Sequence, residues 1–149
     1  MTSRAVARAI RFAGGIGLVL MFLLAPAASA ETVETLFEGS WTKGGYAIAG
    51  GWKIVAEDGR RYVVLDEDFE TRRAPDLKLF LSKRPLDELG DRTATRGAVL
   101  IAPLERVSGG QRYAIDPDVD LSRYRSLLIH CERYSKYWGG AELEPPDEE

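Results

Sequence analysis

Cys131 and His130 are the residues of this 149-residue chain whose types best suit redox, nucleophilic or ligating chemistry, and each is the sole residue of its kind. They stand side by side in the apolar run Ser126 to Arg133, SLLIHCER. In a strand, neighbours point to opposite faces, so Leu127, Ile129 and Cys131 share one face while Leu128, His130 and Glu132 share the other. That parity works against a Cys–His nucleophilic pair, which would need a bulge to bring the two side chains together. A thiol that does chemistry must be reachable and must have a cation nearby to favour the thiolate; Arg133, two positions along, is the candidate. The competing expectation is that Cys131 packs in the core, because cysteine is among the most buried residue types. His130 is expected to be a satisfied or partly exposed sheet histidine.

Counting ligands removes most metal centres. Blue copper requires two histidines and a cysteine, and structural zinc requires four Cys or His ligands. One residue of each kind builds neither, so no metal site is assigned. Both methionines, Met1 and Met21, fall in the N-terminal leader, and no C-x-x-C-H run exists for covalent haem attachment. Noncovalent haem held by Cys131 or His130 stays open. Asp116, Asp118 and Asp120 alternate like a calcium loop. The pattern fails at Leu121, where glycine is needed, and at Leu127, where the bidentate glutamate belongs, so an Asx-turn loop is expected. Trp41, Trp52, Tyr134, Tyr137 and Trp138 are read as core and rim packing rather than a ligand groove.

The elements that must position these residues are short and β-prone, separated by Gly, Pro and Asp signals. Strands are expected at Thr35 to Trp41, Tyr46 to Ala49, Trp52 to Ala56, Tyr62 to Leu65, Leu77 to Ser82, Ala98 to Leu104, Gln111 to Ile115, Ser126 to Cys131 and Tyr134 to Leu143. Asp58-Gly59 reads as a two-residue hairpin turn, and Pro103 marks an edge strand or a strand end. Leu77, Leu79 and Leu81 alternate with Lys78, Phe80 and Ser82 in the manner of a half-buried strand. Arg84 to Arg96 reads as a loop with one helical turn at most. The expected fold is all-β, an antiparallel sandwich or barrel-like arrangement of about eight or nine short strands.

Arg4, Arg8 and Arg11 precede the apolar run Phe12 to Ala25, and Ala28-Ser29-Ala30 offers a small-x-small cleavage site. Residues 1–30 are therefore expected to be a cleaved signal peptide, leaving a secreted or periplasmic protein with no membrane insertion after cleavage. Residues 31–143 form one domain, and residues 144–149 an acidic tail. Taking the three leader arginines from the 20 basic residues leaves 17 against 23 acidic ones, a balance of about −6. That balance disfavours nucleic acid and anionic lipid as partners. A single cysteine forms no disulfide within the chain, so a monomer and a Cys131-linked homodimer both stay open.

Several pieces in this order carry a family likeness: Gly45-Tyr46 with Gly50, Asp58-Gly59, Asp68-Phe69, Pro75-Asp76-Leu77 with Leu79 to Ser82, Gly110-Gln111-Arg112-Tyr113, and Tyr124-Arg125-Ser126 leading into Ile129-His130-Cys131. Together they resemble the DM-thirteen domain, the electron transfer DM family, over roughly Leu36 to Leu143. The resemblance implies an extracytoplasmic β domain in which Cys131 falls on the signature cysteine, acting as a bare thiol or holding a prosthetic group such as haem. A redox partner protein or membrane cytochrome is implied with it. His130 stands where an aromatic residue commonly precedes that cysteine. The alternative is a non-enzymatic binding sandwich in which the cysteine is structural.

Overall fold

The computed structural model describes residues 32–144, so the expected leader and residues 145–149 of the expected tail lie outside the described residues. The described residues form an all-β, wholly antiparallel fold of eleven strands. In chain order these are β1 Val33–Ser40, β2 Thr42–Lys43, β3 Ile48–Ala49, β4 Gly51–Glu57, β5 Arg60–Leu65 and β6 Glu70–Thr71. They continue with β7 Leu77–Ser82, β8 Val99–Pro103, β9 Gln111–Ile115, β10 Ser126–Cys131 and β11 Lys136–Glu142. Three are only two residues long, which accounts for the excess over eight or nine.

One sheet runs β1-β4-β5-β9 and the other β2-β11-β10-β7-β8, with β3 and β6 paired separately. The two larger sheets meet as a sandwich rather than a closed barrel. Trp52, Ile54, Val63, Leu65, Tyr113 and Ile115 from the first share one core with Leu77, Leu79, Leu81, Leu127, Ile129 and Cys131 from the second. The β4–β5 hairpin turns at Asp58 and Gly59, both in the left-handed region at φ 50 and 73, as a two-residue turn requires. Pro103 ends β8, which lies at the edge of its sheet where a missing N–H does no harm.

The first sheet follows the half-buried pattern: Tyr62 and Arg112 sit on its outer side, with the guanidinium 3.8 Å from the ring and also paired with Glu57. The second sheet does not. Every residue of β10 is buried, and β7 is buried at all positions but Lys78. The segment Arg84 to Ala98 lies across the outer face, where Phe80, Leu128 and Ala94 form a second core with Leu89, Ala98 and Tyr137. It contains one 3-10 turn, Leu86–Glu88. The strand expected to be half buried is thus covered on both sides.

Gly45, Trp41 and the glycines before β4 belong to a corner built on close approach. Trp41 N donates to Gly50 O, and Tyr46 stacks on Trp138 with ring centres 3.8 Å apart. The Trp138 indole N–H donates to Thr71 Oγ1 at 2.8 Å, and that hydroxyl donates onward to Ala47 O. The three tryptophans are buried in the core, whereas Tyr134 is exposed.

Candidate functional site

Cys131 is the last residue of β10, the central strand of the five-stranded sheet, and has no exposed surface. Its cross-strand partners are Leu77 on one side and Lys136 on the other. Directly opposed residues share a face, so the sulfur packs beside the Leu77 side chain within the main core. Leu77 in turn lines an open cleft of about 430 Å³ at the end of the sandwich, together with Arg73, Asp76, Glu105 and Arg106. Cys131 contributes nothing to that lining. Arg133, expected on the same strand face, lies instead in the 3-10 turn Glu132–Tyr134, because the strand ends at Cys131. As folded, the thiol offers no surface to a second chain's thiol.

His130 faces the other way, under the covering segment. The pairing of β10 with β11 shifts between Ile129 and His130, but the extra residue is Trp138 on β11. Against β7 the register of β10 is unbroken, so His130 and Cys131 stay on opposite faces and form no dyad. The imidazole stands edge-on to Phe80, centroids 6.4 Å apart at 89°. It is neither satisfied nor partly exposed: only 3% of its surface is accessible, and neither ring nitrogen finds a hydrogen-bond partner. Burial pushes its pKa below the ordinary value, and the nearby Asp91 backbone, Glu132 and Asp91 carboxylates counter this only in part.

Asp91 anchors the covering segment. Its carboxylate accepts from Lys136 Nζ at 2.6 Å and from Tyr137 N at 2.9 Å, and those bonds, the lysine first, hold its pKa down. Burial raises the Tyr137 phenol to about 12, so it stays a neutral packing group.

The buried neutral histidine has a measurable consequence. In the unfolded chain the imidazole takes up a proton below about pH 6.5, whereas in the fold it resists protonation. Its contribution is therefore fully present above pH 6.5 and is lost as pH falls through the depressed folded value. Urea unfolding between pH 7.5 and 5 is expected to lose up to about 1.4 kcal/mol per pH unit over part of that window. His130→Leu should flatten the profile there; an equal slope in both proteins would refute the assignment.

Haem does not fit the chain as folded. A bound cofactor occupies a concave slot with its ligating atom at the wall. Neither Cys131 nor His130 lines any of five surface clefts of about 400–590 Å³ among the described residues, and the two point into different cores. No group of three or more His, Cys, Asp or Glu among the described residues is placed to hold a metal ion. Asp116 caps its own loop by accepting from Asp118 N at 2.9 Å, the Asx-turn geometry expected of it.

A family model described as Electron transfer DM13 matches residues 40–143. The chain belongs to the Electron transfer DM13 family. No curated protein and no solved structure matches it. Within this DM13 domain the motif residues are mostly framework. Asp68 Oδ1 accepts from Gly51 N at 2.9 Å, and Phe69 N donates to Asp66 O, closing a turn against the Gly50-Gly51 corner. Gln111 Oε1 accepts from Arg106 N while its amide donates to Arg106 O, and the Tyr113 hydroxyl accepts from Glu105 N. That pair fixes the loop lining the cleft beside Leu77. The covering segment and the orphaned histidine were not expected from sequence; Leu86, Leu89, Ala94 and Ala98 in a polar stretch were the available signal. No helix among the described residues is long and apolar enough to cross a membrane.

Proposed function

We propose that this DM13 domain serves an electron-transfer assembly outside the cytoplasm as a docking module, with Cys131 acting as a structural core residue while the fold is closed. The observation that carries this reading is the complete burial of Cys131 on the core face of a central strand. A bare-thiol carrier must present a thiolate to its partner, and a sulfur sealed among leucines cannot do so without opening the fold. Export is supported by the arginine-led apolar run and Ala28-Ser29-Ala30. N-terminal sequencing of the exported protein is expected to begin at Glu31.

The second reading keeps Cys131 as the redox or ligating atom, and one observation favours it. Leu77, the cross-strand partner of Cys131, also forms part of the wall of the open cleft, which makes that side chain the route by which a partner would approach the sulfur. Absorption spectra and voltammetry of wild type and Cys131→Ala, purified from the export compartment, separate the two. The docking reading expects no haem band and the same electrochemical response from both proteins. A chromophore or redox wave present in wild type and absent from Cys131→Ala would overturn it in favour of the second.

A further inference from the structure

We propose that the cleft where β7 leaves the sheet is a binding site for phosphate-type oxyanions. It has a volume of about 510 Å³ and is lined by Lys83, Arg84, Arg96 and Arg125, with Glu88 as its only carboxylate. This is a local excess of three positive charges in a chain whose net charge is −3. Like charges gathered on one wall repel one another, and that repulsion is relieved by an anion seated among them.

The donors are largely unspent. Among the described residues, Lys83, Arg96 and Arg125 enter no ion pair. The Lys83 ammonium stands 6.0 Å from the centre of the Tyr124 ring, a contact that leaves its charge in place. Arg84 gives one N–H to Glu88 at 3.1 Å, and its Nε–H has no acceptor at all. A guanidinium presents five N–H groups in a planar fork that matches the oxygens of phosphate.

Two buried serines explain why the cluster is positioned rather than merely present. Ser82 and Ser126 are cross-strand partners, and both are fully buried. Ser126 Oγ donates to Arg84 O at 2.8 Å, Arg84 N donates to Ser82 Oγ, and Arg125 N donates to Ser82 O at 2.8 Å. Leu143 N closes the set by donating to Arg125 O. The backbones carrying Arg84 and Arg125 are thereby tied to the end of the sheet, which lowers the ordering entropy that binding would otherwise have to supply.

The test is a titration of the protein with inorganic pyrophosphate, read by backbone amide shifts, with chloride held constant. Saturable shifts are expected at Gly97 and Arg125. Arg125→Gln and Arg96→Gln should each weaken binding about fivefold, whereas Glu88→Gln, which removes the competing carboxylate, should tighten it about threefold. Arg92→Gln removes the same charge outside the cleft and should change affinity less than about twofold. Absence of saturable shifts, or an Arg92→Gln effect equal to that of Arg125→Gln, would overturn the proposal. Co-sedimentation with phosphatidic acid in phosphatidylcholine vesicles identifies the source. Sedimentation reversed by pyrophosphate and by Arg125→Gln assigns a lipid headgroup, and pyrophosphate saturation without sedimentation assigns a soluble phosphate ligand.

Discussion

Cys131 is expected to react with iodoacetamide at least about a thousandfold more slowly in the folded protein than in the chain unfolded in guanidinium, since domains of this size open to only a small fraction at equilibrium. The sulfur has no accessible surface and lies in the main core, with Leu77 opposite and Ile129 two residues back on the same face. Reaction must therefore wait for opening of the end of β10 or of the whole domain. Tracking the rate against urea distinguishes these, because global opening exposes more surface and gives a steeper dependence. Rapid labelling of native protein, with a rate indifferent to urea, would remove the structural reading of Cys131 and restore the redox one. Cys131→Ser should also lower stability by about 1–3 kcal/mol, through a hydroxyl left without a partner in the core. Cys131→Ala is the milder change and so the better probe of function.

Gly50→Ala is the substitution expected to harm the fold most for its size. Gly50 sits at φ +101, and a Cβ there would lie 2.6 Å from Phe69 Cα and 2.7 Å from Asp68 O. The obstacles are backbone atoms of the turn that seats Phe69, a fully buried ring 6.1 Å from Trp41, so no flexible side chain can yield. Conformational strain and overpacking together should remove about 3–5 kcal/mol. That corresponds to a melting temperature lower by on the order of 15 °C. Gly59→Ala is the matched control: its φ is +73, yet nothing lies within 4 Å of the added carbon. It should lose only about 1 kcal/mol, the conformational part alone. Thermal denaturation of the two variants side by side measures the difference, and equal losses would show that close approach at Gly50 is not what the position requires.

These two expectations meet at the same conclusion about the family motif. Gly50, Asp68-Phe69 and Gln111 to Tyr113 are held by turns and by hydrogen bonds to backbone groups. These residues therefore hold the frame of this DM13 domain, and Cys131 ends the strand at the centre of its five-stranded sheet.

Much of this architecture was already legible in the residues. The period-two alternation of Leu77 to Ser82 and Gln111 to Ile115 gives both strands with their observed bounds. The Asp58-Gly59 turn, the edge position before Pro103 and the Asx turn at Asp116 follow from local chemistry alone, because each depends on the φ, the N–H or the side chain of the residues themselves. So does the parity that sets Cys131 and His130 on opposite faces. Local sequence does not specify what lies above a face. Only the tertiary structure lays Arg84 to Ala98 over the outer side of the five-stranded sheet, which buries His130 without a partner and turns a half-buried strand into one covered on both sides. It also sends Arg133 into a turn, and gathers Lys83, Arg84, Arg96 and Arg125 from separate parts of the chain into one cleft. Period and turn chemistry are short-range properties that a sequence states directly, whereas burial and charge clustering arise from contacts between residues far apart in the chain.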